Sequence, residues 1–368
     1  MNILFISQLY PIGEDSKSTF ALHYFTKEWS KNHHVKVIRP LYPYEEDKAT
    51  NGLKIALDNV EIEIIKPIWF PIIKKSYINK KKILESIDFE PDIIICHKNT
   101  AYLPFYFLKK HFGVPMIVGI HRTDILFSKT WLYRRRQEKV FEDVDLFAFR
   151  SKALKKHFLE RFSQFKDKKS FIANSGVPQN IILKRKKNNN TGVKKIIFVG
   201  ALIDSKNLDK LLISLTNVKT PYQLTVIGDG ENKEKLLNLC KTLNIERNVF
   251  FLGRIKREKV FLEMEKHDFF VMPGIKETLG LVYLEAMAKG LVVVGMKGWG
   301  IDGIIHDGEN GFLCENDSQE KVNDKIIQVL NLTAEEQKRI TANSFKTIEK
   351  YTEQSVADEY LKEIEDLF

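Results

Sequence analysis

Short apolar runs recur along the chain, and between them lie longer stretches whose apolar positions fall three or four residues apart. In the first half this pattern predicts strands at Ile3–Ser7, Val35–Arg39, Glu61–Lys66, Ile93–Cys96, Met116–Ile120 and Leu146–Phe149. It predicts amphipathic helices at Phe20–Lys31, Tyr77–Ser86 and Trp131–Phe141. A strand that is apolar at successive positions is buried on both faces, as in a parallel sheet covered by helices on either side. The pattern stops at GVPQNIILKRKKNNNTGVKK, residues 176–195, which is polar, has Gly and Pro near its start and reads as an interdomain linker. It then resumes with strands at Ile196–Val199, Gln223–Ile227, Val249–Leu252, Phe269–Met272 and Val292–Val294. There is no short tandem repeat. From Ser318 to Phe368 the pattern is helical, and Thr333-Ala334-Glu335-Glu336 has the form of a capped helix start. The expected fold class is α/β: two doubly wound, Rossmann-like domains facing a central cleft, with C-terminal helices. The expected boundaries are 1–178 for the first domain, 179–194 for the linker, 195–345 for the second domain and 346–368 for a last helix packing back on the first. Ligands in such sheets bind at the carboxyl ends of the strands.

Length and composition narrow the class. The 368 residues suit two domains, and 43% hydrophobic with 29% charged residues is ordinary for a globular chain. No apolar run reaches the roughly 18 residues of a membrane span. The start, MNILFISQLYP, reads as a buried strand and not as a signal peptide, which leads to the expectation of a cytoplasmic enzyme. Cys96, Cys240 and Cys314 are far apart and are expected to be buried free thiols, because a metal site needs ligands clustered at short spacing. Through Asn180 there are 30 Lys and Arg against 20 Asp and Glu, so the whole net charge of +10 lies in that half. Such a one-sided basic field favours a polyanion or an anionic membrane surface.

The richest local chemistry is in the second half. A strand ending at Met272 is followed by Pro273-Gly274-Ile275-Lys276-Glu277-Thr278-Leu279-Gly280 and then by a helix from about Leu281. A strand-to-helix turn exposes backbone N–H groups at the positive end of the helix dipole, which suits an anion. Glu277 lies in the turn and Glu285 in the helix. A carboxylate accepts two hydrogen bonds side by side, so Glu285 suits the vicinal hydroxyls of a ribose and Glu277 those of a sugar ring. Two glutamates at a helix start are equally compatible with plain solvent-facing residues, since acidic groups are favourable there.

The context of those glutamates is specific. The run Pro273-Gly274, Glu277-Thr278-Leu279-Gly280-Leu281, Glu285-Ala286-Met287-Ala288 resembles the paired-glutamate signature of glycosyltransferase family 4, glycosyl transferases group 1, in the GT-B superfamily of retaining enzymes. Phe198-Val199-Gly200 with Lys206-Asn207 resembles the strand and loop where the family places an Arg and a Lys on the donor diphosphate; Lys206 is present, but Ala201 stands where the Arg would be. Gly228-Asp229-Gly230 and Phe251-Leu252-Gly253 resemble further strand ends of the family. Gly298-Trp299-Gly300 and Asp307-Gly308 through Leu313 resemble its closing turns, where a structural role is the simpler reading. In the first domain, His121 with Asp124 follows an apolar strand as in the family. His97 ends the strand before it, and Ser151 and Asn174-Ser175-Gly176-Val177 match two further landmarks. The first loop departs most, with Ser18-Thr19 where the family has a Gly-Gly pair.

The resemblance implies transfer of a sugar, with retention, from a nucleoside diphosphate sugar of the UDP or GDP type to an acceptor hydroxyl. Gly200, Lys206, Glu277, Glu285 and the segment Thr278-Leu279-Gly280-Leu281-Val282 would hold the donor, the leaving diphosphate lying against Lys206 and the Gly280–Val282 amides. His121 would contact the transferred sugar and, with Glu277, carry the catalytic role. Ser18, Thr19, His97 and Asp124 would shape the acceptor side. No metal and no cofactor besides the donor substrate are expected.

The acceptor would be a glycan or lipid-linked molecule, as in bacterial surface polysaccharide or glycolipid assembly. Trp69 to Lys75 with Lys80-Lys81-Lys82, and Arg134-Arg135-Arg136 beside Trp131 and Tyr133, have the composition of a peripheral helix on an anionic leaflet, so the expected place is the inner face of the plasma membrane. A solvated basic face explains them equally well. Two other readings stay open, a GT-B nucleotide-sugar epimerase and a non-catalytic sugar-nucleotide-binding relative. A nucleic-acid partner has no motif to support it.

Overall fold

The computed structural model describes residues 1–13, 20–41, 53–66, 68–70, 75–77, 79–126, 131–183 and 192–368. The chain divides into two compact units. Unit 1 comprises Met1–Arg150, Leu154–Ser175 and Glu353–Phe368; unit 2 comprises Ser151–Ala153 and Gly176–Thr352.

Unit 1 carries β1 (Asn2–Ser7), β2 (His34–Pro40), β3 (Lys54–Leu57), β4 (Val60–Ile65), β5 (Ile68–Phe70), β6 (Lys75–Tyr77), β7 (Ile93–His97), β8 (Met116–Ile120), β9 (Leu146–Phe149) and β10 (Ser170–Ile172). Eight of them form one sheet in the order β10-β9-β8-β7-β1-β2-β4-β3, parallel except for the antiparallel edge pair β3–β4. The strand order reverses between β1 and β7, whose register sets Ser7 beside His97. The continuous apolar runs are buried as expected: Ile3 to Ile6, Ile93 to Cys96 and Met116 to Val118 are solvent-free. Strand β3 escapes sequence reading because it is only four residues long and is half exposed at the sheet edge. The expected helix at Tyr77–Ser86 is shorter, Lys80–Ser86, capped by the Asn79 side chain. The peripheral-helix reading is corrected at Ile68–Phe70 and Lys75–Tyr77, which pair as antiparallel strands; residues 71–74 lie outside the described residues, and Lys80-Lys81-Lys82 open the helix Lys80–Ser86.

The helix Glu353–Glu365 belongs to unit 1 although it ends the chain. It buries Val356, Ala357, Tyr360 and Ile364, and the Trp29 indole N–H donates to the Ala357 carbonyl at 2.9 Å. At about 1.5–3 kcal/mol for each large apolar side chain removed from water, this contact is a substantial part of the unit's core.

Unit 2 carries β11 (Lys194–Val199), β12 (Tyr222–Ile227), β13 (Val249–Gly253), β14 (Phe269–Val271), β15 (Val292–Met296) and β16 (Phe312–Cys314) in the order β13-β12-β11-β14-β15-β16, all parallel. Here the order reverses between β11 and β14, and in open α/β sheets a ligand binds at the carboxyl ends of the two strands at such a reversal. The motif residues after Val199 and after Val271 are the ones at that point. Downstream, Thr333 and Glu336 form the reciprocal capping box that their spacing predicts. The three cysteines are buried free thiols, as expected.

Candidate functional site

In unit 2 the loops after β11 and β14 are tied together by their backbones. Ile275 N–H donates to the Ser205 carbonyl at 2.8 Å, and the Asn207 amide donates to the Pro273 carbonyl at 2.8 Å. Asn207 adopts φ +52°, a left-handed turn that Asn tolerates, and starts the helix Leu208–Leu215. These links place Lys206 against Glu277, and their ammonium and carboxylate groups form an ion pair. The two residues that the motifs suggested, 71 positions apart in sequence, are therefore one unit of charge at the switch point.

The helix Leu281–Ala288 begins immediately beyond. Gly280 precedes it with φ +80°, and no side chain caps its N-terminus. The turn is rigid: the Tyr283 hydroxyl donates to the Met272 carbonyl at 2.6 Å, and the Ser151 hydroxyl donates to the Thr278 carbonyl at 2.7 Å. Leu279 is buried and anchors the loop. An uncapped helix start whose leading amides face the end of a sheet is a standing anion receptor. Glu285 lies one turn further on, buried on the same helix, and Arg257 grips it: Nε at 3.2 Å and Nη2 at 2.5 Å both donate to the same oxygen, Oε1. Arg257 was not legible in the sequence, because it lies 28 residues away and no local pattern links it to Glu285. Gly200 closes β11 with its N–H donated to Ile227 at 3.0 Å.

Unit 1 has its own cluster at the ends of β7, β8 and β9. His97 is solvent-free, stacks on Phe5 and approaches His121, with Nδ1 to Nε2 at 3.1 Å. Burial holds both imidazoles below the ordinary histidine range, helped by Arg150: His97 well below it and His121 down to about 3. Asp124 does not face solvent. Its two oxygens accept the amides of His121 at 2.6 Å and Asn99 at 2.7 Å, so it locks the turn after β8. Burial nonetheless pushes its carboxyl up to about 7, against the opposing pull of those amides. Arg150 is buried, and among the described residues no ion pair is formed with it; Ser175 accepts from it, it lies over the Phe25 ring, and burial lowers it to about 10. Ser18 and Thr19 lie outside the described residues.

Among the described residues no group of three or more His, Cys, Asp or Glu is arranged to hold a metal ion. A cavity of about 590 Å³ lies at the ends of β15 and β16, and four of its charged residues pair with one another, Lys325 with Asp307 and Lys321 with Glu315. The switch point between β11 and β14 is the better candidate.

Comparison with known proteins agrees with this geometry. Residues 180–347 match the profile of the family described as Glycosyl transferases group 1. The chain is 27% identical over 258 residues to an uncharacterized glycosyltransferase of Methanocaldococcus jannaschii, covering 69% of this chain and 70% of that one. Among solved structures it is similar to HepE of Anabaena in complex with UDP, with a TM-score of 0.76, 16% identity and full coverage of both chains. It is also similar to the lipopolysaccharide outer core galactosyltransferase WaaB, with a TM-score of 0.77, 16% identity and full coverage of both chains.

Proposed function

We propose that the chain, whose residues 180–347 match the glycosyl transferases group 1 family and whose fold is GT-B, transfers a sugar, with retention, from a nucleoside diphosphate sugar to an acceptor hydroxyl in surface polysaccharide or glycolipid assembly. The observation that carries this reading is the uncapped helix start at Gly280 flanked by the Lys206–Glu277 pair and by Glu285. The donor diphosphate lies on the Gly280, Leu281 and Val282 amides with Lys206 beside it. Fixed positive potential then stands where the leaving group gains charge, the arrangement that lowers such a barrier most. Glu285, with one oxygen held by Arg257, offers the other to a ribose. Glu277 leaves its ion pair with Lys206 to accept the sugar hydroxyls, while Lys206 turns to the diphosphate. His121 contacts the transferred sugar as a neutral group.

The UDP complex of HepE supports a uridine donor. Ala201, in the place of the family's Arg, favours weak donor binding and keeps a second reading in play, a non-catalytic sugar-nucleotide-binding relative. A thermal-shift panel of UDP, GDP and their sugars, followed by diphosphate release with acceptor extracts, tests both. The expected result is a melting shift with one nucleoside diphosphate and release that is lost in Glu277→Ala and Glu285→Ala. No shift with any nucleoside diphosphate sinks the donor reading, and a shift without release selects the non-catalytic one.

A further inference from the structure

The two histidines of unit 1 do not end the hydrogen-bonded chain. On its other side, His97 Nε2 meets the hydroxyl of Tyr360 at 3.4 Å. Tyr360 comes from the last helix, 263 residues away, and its ring is clamped edge-on by Phe25, Trp29 and Phe171. His97 is held as tightly. A Cβ at Gly119 would stand 2.1 Å from its Nδ1, so only glycine at that place in β8 lets the imidazole lie where it does. Three rings from three parts of the chain thus form a line, Tyr360, His97, His121.

A neutral imidazole has one N–H and one lone pair, so the line can run in only two directions. If His121 donated to His97, and His97 to Tyr360, the phenol O–H would need a further acceptor. Among the described residues His97 is the one hydrogen-bond partner recorded for that hydroxyl. The other direction leaves no buried donor stranded, because the phenol O–H then ends on the His97 ring nitrogen that it meets. We infer that Tyr360 and His97 are positioning residues, which by donating in sequence, Tyr360 O–H to His97 Nε2 and His97 Nδ1–H to His121 Nε2, fix the proton of His121 on Nδ1.

The consequence is chemical. With Nε2 occupied as an acceptor, His121 offers a ligand an N–H donor and no lone pair. It binds a hydroxyl or phosphate oxygen and takes no proton from an acceptor. The C-terminal helix is thereby part of the site's chemistry and more than a structural strap. The proton positions rest on geometry alone; only their meaning for a bound sugar rests on the function proposed above.

The ligand-free chain with ¹⁵N-labelled histidine tests this, read by long-range ¹H–¹⁵N correlation of the imidazoles near neutral pH. Wild type is expected to show His97 and His121 both protonated at Nδ1. Tyr360→Phe keeps the ring packing and removes only the donor, so the tautomer ratio of His97 shifts roughly fivefold toward Nε2–H, the factor one lost neutral hydrogen bond is worth, and His121 follows. His121 protonated at Nε2 in wild type overturns the inference even if the variant does not fold. Unchanged spectra of both rings in folded Tyr360→Phe overturn it too. Neither result depends on whether the chain transfers a sugar.

Discussion

At the scale of single residues, the buried imidazoles give the protein a defined response to acid. Burial, with neighbouring positive groups, depresses His97 and His121, whereas the unfolded chain titrates them near 6.5. Lowered folded-state pKa values mean that the unfolded state binds protons first as pH falls. The stability these rings contribute is therefore present above about pH 6.5 and is lost as pH falls below it, for His121 progressively toward about pH 3, while Asp124, raised to about 7, offsets the loss from one ring. Each ring costs up to about 1.4 kcal/mol per pH unit within that window. Urea unfolding at pH 7, 6 and 5 should show this decline in wild type, and a slope shallower by one proton in His97→Gln. Identical slopes would mean that His97 is not buried neutral. Lys206, Glu277, Arg257 and Glu285 also belong to this scale. Each acid of the donor loop is already matched to a cation within unit 2, so an incoming diphosphate meets an exchange of partners and not bare charge.

At the scale of elements, the turn between β14 and the helix Leu281–Ala288 is where local conformation serves binding. Gly280 sits at φ +80°, and a Cβ there would come within 2.5 Å of the Tyr283 ring. Tyr283 cannot yield easily, because its hydroxyl is bonded to the Met272 carbonyl. Gly280→Ala should therefore cost at least the roughly 1–2 kcal/mol of a left-handed backbone and displace the helix start. For a unit of this size that lowers the melting temperature by several degrees. The nucleotide-induced shift should be lost as well, and a variant that melts lower yet binds UDP as before would separate the turn from the anion site. The helix Trp131–Asp143 starts where the sequence reading placed it and runs two residues past the expected end at Phe141. Its exposed positions are Trp131, Leu132, Arg135, Arg136 and Lys139, followed at its end by Glu142 and Asp143, with Trp131 66% and Leu132 69% exposed.

That outward face acquires meaning at the scale of the whole molecule. The chain's net charge of +10 lies entirely in the N-terminal half, and among the described residues no helix is long and apolar enough to cross a membrane. A basic face with two exposed apolar side chains at one end fits the surface of an anionic leaflet, where each nearby Lys or Arg contributes about 1 kcal/mol. Vesicles containing anionic lipid should sediment the protein at low salt and neutral vesicles should not. Arg135→Glu with Arg136→Glu should release most of it without lowering the melting temperature. Equal binding to both vesicle types would leave the face as a solvated surface of a lysine-rich protein.

The sequence by itself determined the two α/β sheets, because a strand buried on both faces must be apolar at every position, and that is visible without coordinates. It also marked out the loop proposed to hold the donor, because a strand end, a glycine turn and a helix start with two carboxylates are contiguous in the chain. The edge strand Lys54–Leu57 and the strands at Ile68–Phe70 and Lys75–Tyr77 were not legible, since runs of three or four residues are too short to carry a periodic signal. The tertiary structure alone decided the pairings: Arg257 on Glu285, Lys206 on Glu277, and Tyr360 on His97. Each joins residues dozens or hundreds of positions apart. Such contacts follow from which sheet ends the fold brings side by side, and local periodicity holds no record of that.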